Sequence, residues 1–304
     1  MTTVAALLGE GIERLRAAGS ATPRLDAELL LGHALGIDRT SLVAHPDAPV
    51  GTGQEAAFGS SLERREQGEP VAYIRGLKEF FGLAFSVDAR ALIPRPETER
   101  LVELAAVEVA ERLTSAPRPV DATALGVLDL GTGSGAVAVA LLHTLRRRGL
   151  DQEVALVATD VSTAALDLAR ENAVAHAVAD RIRFVEADLY PEAADQGSPF
   201  TVVLANLPYI PTPAIPELPI AASFEPAGAL DGGPDGLHIV RRAIDGLAEH
   251  LSPGGVAMFE IGSDQGDAVR SHAAEVVPDW ACSIELDLSG SPRVVRLERP
   301  PARG

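Results

Sequence analysis

Residues 127–141 read VLDLGTGSGAVAVAL, and this stretch decides the fold. Positions 127–130 form a short apolar run, the pattern of a strand buried on both faces. The run leads straight into Gly131, Gly133 and Gly135, and an apolar helical pattern opens at once. In a doubly wound sheet, ligands lie beyond the carboxyl ends of the strands, at the first strand–helix turn. Glycine is needed there because a β-carbon would strike the ligand or forbid the turn. N–H groups at the helix start can hold a carboxylate.

Outward from this loop, strands and helices alternate. Strands are expected at 127–130, 154–159, 182–186, 201–205, 256–261, 283–288 and 294–297. Helices fit at 97–113, 136–148, 164–175, 237–250 and 265–274. Short apolar strands between amphipathic helices imply a parallel sheet covered on both faces. Only SGSPR separates the last two strands, so they should pair as an antiparallel hairpin. The segments 191–198 and 211–234, rich in Pro and Gly, read as loops.

The N-terminal stretch has a different texture. Val4, Leu7, Leu8, Ile12 and Leu15 recur at helical spacing. Leu25, Leu29, Leu30 and Leu35 follow Thr22-Pro23, a helix start, and Gly36 ends that helix. A third helix is expected over 54–67. His33 reads as a packing or surface residue, and no catalytic constellation lies in this stretch. From Pro70 to Pro96, VAYIRGLKEFFGLAFSV alternates apolar and polar residues with Gly76 and Gly82 as punctuation, which reads as a β-hairpin. IPRPETE follows, with Pro96 suited to a first helical turn and Glu97 and Glu99 favoured by its dipole. The expected organisation is a small all-helical domain (1–69), a β-hairpin linker (70–96) and a Rossmann-like α/β domain with a seven-stranded sheet (97–304).

Two acids follow the glycine loop on successive strands. Asp160 ends the second strand, where a carboxylate can accept both ribose hydroxyls. Asp188, in EADL after the third strand, is placed for an adenine amino group; a surface acid capping the strand end is the alternative. A nicotinamide dinucleotide would want G-x-G-x-x-G, and the spacing here is G-x-G-x-G. With Asp129 two residues before the first glycine, the set points to S-adenosylmethionine as a methyl donor. After the fourth strand come Asn206-Leu207-Pro208-Tyr209, where the methyl group should point. This motif suits a planar nitrogen, whose lone pair is delocalised. The Asn206 side-chain oxygen accepts one N–H and the Leu207 carbonyl the other. Pro208 fixes the backbone, and the Tyr209 ring can stack on the planar group. The reaction needs neither a metal nor a covalent nucleophile. Taken alone, Asn-x-Pro is a common strand-ending turn; the cofactor signals upstream favour catalysis.

Composition sets the bounds. Lys and Arg number 26 against 43 Asp and Glu, a net charge of −17 in 304 residues. Phosphate neutralisation needs clustered cations, so direct nucleic-acid binding is not expected. A single cysteine, Cys282, excludes a disulfide framework and a cysteine-built zinc site. There is no apolar run long enough for a membrane helix. The N-terminus carries acids early and lacks a secretory pattern, so a soluble cytoplasmic protein is expected. An acidic surface would speed encounter with a partner presenting basic patches.

At this point the chain resembles the peptide chain release factor glutamine methyltransferases nearly end to end. GEPVAYIRGLKEFFGLAFSV, ALIPRPETE, DLGTGSGAVAVAL, EADL, NLPYIP, FEPAGALDGGPDGLHIVRRAI, FEIGSDQG and DLSGSPRVV follow in family order. IPRPETE and LDGGPDGL are the most specific, because general methyltransferases lack them. The resemblance implies a cytoplasmic enzyme of translation termination. It would methylate the glutamine of the Gly-Gly-Gln motif in release factors, converting S-adenosyl-L-methionine to S-adenosyl-L-homocysteine. Gly131, Thr132, Gly133, Ser134, Gly135, Asp160, Asp188, Leu189 and Asn206 match cofactor-contact positions. Asn206, Leu207, Pro208 and Tyr209 match the glutamine site. Arg95, Pro96, Glu97 and Thr98 would close over the donor, and the N-terminal helices would dock the release factor. The family usually has Asn-Pro-Pro-Tyr; Leu207 departs from it, but a residue that offers its carbonyl can be leucine. Asn-Leu-Pro-Tyr also resembles ribosomal RNA adenine dimethyltransferases, and an adenine N6-methyltransferase is the alternative. Such enzymes need a basic face, and the RNA enzymes carry their helical domain after the catalytic one. A cofactor-binding scaffold without catalysis would show a broken Asn206 site, and this one is intact.

Overall fold

The computed structural model describes residues 2–115, 124–192 and 199–302. Most of the loop expected at 191–198 lies outside the described residues. The chain forms two compact units, one of Met1–Leu77 with Leu218–Phe224, the other of Lys78–Glu217 with Glu225–Gly304.

The first unit is helical. Helix α1 (Val4–Ala17) starts at Thr3, whose side chain accepts from the Ala6 N–H, the usual way to satisfy an orphan amide. Helix α2 (Pro23–Leu35) has its proline in the first turn and ends at Gly36 with φ 68°, the left-handed cap that glycine adopts without penalty. Helices α3 (Arg39–Ala44), α4 (Thr52–Glu66) and α5 (Val71–Arg75) complete it. Leu15, Leu30, Leu31, Phe58 and Leu62 fill its core, and His33 is exposed. Helix α3 has no place in the sequence reading, because six residues are too few to display a period. Residues 71–75 correct it: VAYIR is helical, not the start of a hairpin. Gly76 at φ 65° caps that turn, and Tyr73 and Ile74, adjacent in sequence, are both buried, which two faces of a strand would have separated.

The hairpin proper is β1 (Leu77–Phe80) and β2 (Leu83–Ser86). Its turn holds Phe81 at φ 51° and Gly82 at φ 72°, the paired positive angles of a tight two-residue turn. A 3-10 turn at Pro96–Thr98 leads into helix α6 (Glu99–Thr114). Then follow β3 (Leu125–Leu130), α7 (Ala136–Arg147), β4 (Val154–Asp160), α8 (Thr163–Ala175), β5 (Ile182–Glu186), β6 (Phe200–Ala205), α9 (His238–His250), β7 (Leu251–Glu260), α10 (Gly266–Val276), β8 (Ala281–Leu286) and β9 (Pro292–Glu298).

The seven strands lie in the order β5-β4-β3-β6-β7-β9-β8. All neighbours are parallel except β7 with β9 and β9 with β8, so the terminal hairpin is as expected. Strand β7 begins five residues before the expected 256, with a register irregularity opposite Phe200–Val202; Pro253-Gly254-Gly255 obscures it in sequence. Leu128, Leu130, Val203, Ile244, Phe259 and Val295 are buried in one cluster. Strand order reverses about β3, which has β4 on one side and β6 on the other. A crevice opens at the carboxyl ends of strands where such a reversal occurs, and the chemistry-bearing residues follow these strands. Among the described residues, no helix is long and apolar enough to cross a membrane.

Candidate active site

Strand β3 delivers the glycine loop. Gly131, Gly133 and Gly135 have φ of 63°, 55° and 78°. A β-carbon on Gly131 would lie 2.9 Å from Leu207 Cδ2, and one on Gly135 would lie 3.1 Å from Ala169 Cβ. Conformation and packing therefore both require glycine. The loop is tied from beneath. Thr132 Oγ1 donates to Asp129 Oδ2 at 2.7 Å, and the Thr132 N–H to the Thr159 carbonyl at 2.8 Å. The buried Asn172 amide donates to the carbonyls of Ser134 and Ser86, a brace that sequence reading missed because an isolated asparagine within a helix carries no pattern.

Burial pushes the Asp129 carboxyl up to about 7, against the Thr132 hydroxyl and the Ala138 N–H, which pull it down; Asp160 adds to the rise. The folded state thus holds this proton more tightly than the unfolded chain, for which the reference is 3.8. The associated stability is full below about pH 4, declines as pH rises to about 7 and is level above. In thermal unfolding, Asp129→Asn should gain on the parent across that window by on the order of 3–4 kcal/mol. A difference independent of pH would show that Asp129 keeps an ordinary affinity for its proton.

Strand β4 ends in Asp160. Its Oδ2 accepts from the Gly133 N–H and its Oδ1 from the Ser162 N–H, both at 2.9 Å. Burial raises its carboxyl above the usual range while these backbone N–H groups lower it. A carboxylate has about four lone-pair sites, so both oxygens can still accept from ligand hydroxyls. The sequence reading has helix-start N–H groups hold a carboxylate; here those of Thr132, Gly133 and Gly135 bond within the protein. Past β5, Leu189 sits at φ 72°, costing about 1–2 kcal/mol in the left-handed region. Thr159 Oγ1 holds its carbonyl at 2.6 Å, and such strain gathers at functional sites. Asp188 pairs with Arg242 at 2.7 Å, both well exposed, a weak interaction that a ligand can share.

These ends surround a cavity of about 530 Å³. Gly131, Gly133, Asp160, Asp188, Leu189, Asn206, Leu207 and Pro208 line it, with Arg90, Ala91 and Leu92 from the segment after the hairpin. Thr132, Ser134, Gly135 and Tyr209 are not in its wall; the first three shape the loop from behind. Arg90 was not evident in sequence. It is fixed by Asp88 and Glu171, which hold its guanidinium still more firmly charged than usual.

Strand β6 delivers Asn206-Leu207-Pro208-Tyr209. Asn206 Nδ2 donates to Thr98 Oγ1 at 2.9 Å, and its Oδ1 has no hydrogen-bond partner among the described residues. The Leu207 side chain is buried against Gly131, and its carbonyl likewise accepts nothing. Tyr209 donates to Glu260 Oε1 at 3.3 Å, and its carbonyl accepts from Gln265 Nε2 at 2.8 Å. Burial first, then Glu260, pushes its phenol up to about 12. Arg95 pairs with Glu225, which also accepts from the Ile93 N–H. Of IPRPETE, Thr98 therefore reaches the motif, while Arg95 ties its loop to FEPAGAL. Residues 230–237, LDGGPDGL, pack against the motif: the Ile210 N–H donates to the Leu230 carbonyl, and the Gly232 N–H donates to the Ile210 carbonyl. Among the described residues no cluster of His, Cys, Asp or Glu could hold a metal ion.

Two acceptors without a partner among the described residues, on Asn206 and Leu207, thus stand beside a glycine-floored cavity that Asp160 also lines. A Cβ-free cradle and a carboxylate with spare lone pairs fit a nucleoside carrying an amino-acid tail. Asp160→Ala should weaken donor binding by about 2–4 kcal/mol, since charge-assisted bonds are worth roughly 1.5–3 kcal/mol each and water replaces part of them. Calorimetry showing unchanged affinity would remove Asp160 from the ribose site.

Comparison with known proteins agrees. A family described as PrmC N-terminal domain matches residues 6–76, and one described as Methyltransferase domain matches residues 127–220. A release factor glutamine methyltransferase of Moorella thermoacetica is 40% identical over 287 residues, covering 92% of this chain and 95% of its own. One from Rhodopirellula baltica is 35% identical over 298 residues, covering 98% and 96%. Among solved structures, the hMettl16 catalytic domain in complex with MAT2A 3'UTR hairpin 6 aligns with TM-score 0.54 at 16% identity, over 77% of this chain and 81% of that one. That likeness concerns the fold alone.

Proposed function

The chain belongs to the release factor glutamine methyltransferases, enzymes that use S-adenosylmethionine, and from that membership we propose that it methylates the glutamine amide of the Gly-Gly-Gln motif in translation release factors. The observation that carries the reading is the pair of free acceptors, Asn206 Oδ1 and the Leu207 carbonyl, held at the cavity wall by Thr98 and Gly131.

When bound, S-adenosylmethionine supplies an electrophilic methyl group on a sulfonium. Asp160 takes the ribose hydroxyls, Gly131 and Gly133 floor the donor, and Asp188 with Leu189 receives the adenine. Thr132, Ser134 and Gly135 act by holding that floor. An amide nitrogen is a poor nucleophile, because its lone pair is committed to resonance with a rotation barrier of about 18–20 kcal/mol. Asn206 Oδ1 and the Leu207 carbonyl each accept one N–H, which turns the nitrogen toward the methyl and favours the positive charge that grows on it. Tyr209, outside the cavity wall, is tethered to Glu260 and Gln265 and steadies the end of the motif rather than stacking on the amide, and Pro208 stiffens the turn. Orientation of this kind supplies roughly 7–11 kcal/mol. The proton released after transfer leaves to solvent.

The helical unit is the docking surface in this reading, and the reaction belongs to the cytoplasm. The net charge of −17 suits a protein partner with basic patches and opposes a nucleic-acid substrate. Mass spectrometry of a release factor incubated with enzyme and donor should find one added methyl on the Gly-Gly-Gln glutamine. A whole factor should be a much better substrate than a short Gly-Gly-Gln peptide. Methyl transfer to adenine in RNA or DNA, with the factor unmodified, would replace this reading by its alternative.

A further inference from the structure

Two walls of the cavity come from outside the sheet. One is Arg90, Ala91 and Leu92; the other is Pro226, Gly228 and Ala229. Neither belongs to a strand, so sheet pairing does not set the distance between them. Each is folded on itself by a local hydrogen bond: the Ala91 N–H donates to the Asp88 carbonyl at 3.3 Å, and the Ala229 N–H to the Pro226 carbonyl at 2.9 Å. The first wall rests on α8, where Glu171 holds Arg90 and Ala91 packs with Ala165 and Leu168. The second is anchored at its far end, where Leu230 and Gly232 bond Ile210. At its near end stands Glu225.

Glu225 immediately precedes Pro226, and Ile93 immediately follows Leu92. The Glu225 side chain, 2% exposed, accepts from the Ile93 N–H through Oε2 at 3.0 Å and from the Arg95 guanidinium through Oε1. A single side chain thus clasps the two walls, next in sequence to both. Its partners dictate its chemistry. A backbone N–H and a guanidinium only donate, and an ionised carboxylate only accepts, through both oxygens. Glutamine has one accepting oxygen and an NH₂ group, so in this place it would set a donor against a donor. Opening the clasp would leave a buried carboxylate without its partners, a costly state, and the closed form is favoured.

Building on the proposed function, in which S-adenosylmethionine occupies this cavity, we propose that Glu225 is a positioning residue for the donor: it holds the walls 90–92 and 226–229 at the spacing the donor fits, and so sets donor affinity rather than the rate of methyl transfer. With the clasp open, the binding-competent fraction falls, and the apparent dissociation constant rises by the same factor. The acceptors on Asn206 and Leu207 are braced elsewhere, by Thr98 and against Gly131, so turnover at saturating donor does not depend on Glu225.

The test is calorimetry of S-adenosyl-L-methionine binding to the full chain, with kcat on release factor measured at saturating donor. Glu225→Gln, nearly isosteric, should raise the dissociation constant about tenfold or more, since a hydrogen bond to a charged group is worth at least the roughly 1.4 kcal/mol of a tenfold change. Its kcat should stay within about threefold, the pattern of lost binding rather than lost catalysis. Arg95 reaches Glu225 through one nitrogen, so Arg95→Lys should keep most of the affinity, and Arg95→Met should bind donor several-fold more weakly than Arg95→Lys. A Glu225→Gln chain that binds donor as the parent does, or that loses kcat with its affinity intact, overturns the proposal. If that chain does not fold, the Arg95 pair decides: equal donor affinities in Arg95→Met and Arg95→Lys overturn it. Asp160→Ala separates the clasp from the reading beneath it. Affinity lost in Asp160→Ala but kept in Glu225→Gln refutes the clasp alone, and affinity kept in both refutes the donor's place in this cavity. A parent that methylates no release factor, while Glu225→Gln still loses donor affinity, would refute the substrate reading and leave the clasp standing.

Discussion

Replacing Asn206 by alanine will lower the turnover number on release factor by on the order of 10²–10³, the loss typical of one preorganised catalytic hydrogen bond. The Asn206 side chain makes one hydrogen bond among the described residues, to Thr98, so the fold should tolerate its loss and donor affinity should change far less than kcat. The contrast lies next door. Leu207→Pro keeps the carbonyl, and the Leu207 N–H donates to nothing among the described residues, so proline deletes no hydrogen bond. It does remove a buried side chain from beneath Gly131. Activity should stay within roughly tenfold, about 1.4 kcal/mol of barrier. Steady-state kinetics on both variants, with donor binding measured alongside, decides the matter. If Leu207→Pro is as inactive as Asn206→Ala while still binding donor, the two-acceptor account fails.

Gly236→Ala will be nearly as damaging, from behind the site. Gly236 has φ 77°, and a β-carbon there would lie 2.4 Å from the Tyr209 carbonyl and 2.8 Å from Gln265 Nε2. The left-handed conformation alone costs alanine about 1–2 kcal/mol, and the backbone contact forces Tyr209 to move. Since misplacement by about 1 Å can cost 10²-fold, kcat should fall by at least that factor while the donor still binds. Thermal unfolding should show a loss of roughly 2–4 kcal/mol, within the range for strain at a special backbone position. A variant with parental kcat would mean that LDGGPDGL does not brace the Asn206 turn.

Much of this was legible in the sequence, and the reason is local. Strand–glycine–helix at 127–147 is a short-range pattern: apolar run, obligatory turn, amphipathic period. The same holds for the acids at 160 and 188 and the Asn-x-Pro turn at 206–208, which sit at strand ends and so are placed by the sheet once the strands are known. The helix stop at Gly36 and the proline at 96 were likewise readable, because each acts on its own neighbours in the chain. VAYIR is ambiguous in sequence, since five residues fit a strand period as well as a helical turn, and the burial of both Tyr73 and Ile74 decides for the helix.

What the sequence by itself determined, then, was the doubly wound sheet, the order of the candidate site residues at its strand ends and the chemical character of each. What only the tertiary structure decided was how those ends are held. Thr98 meets Asn206 across 108 positions, Glu225 meets Ile93 across 132, and Asn172 meets Ser86 across 86. The segment Leu218–Phe224 belongs to the N-terminal unit, although the residues around it belong to the catalytic one. Hydrogen bonds and close packing act over a few ångströms in space, whatever the separation along the chain. No periodicity or motif spacing encodes which polar side chain will face which, so the bracing of the site had to be seen in three dimensions.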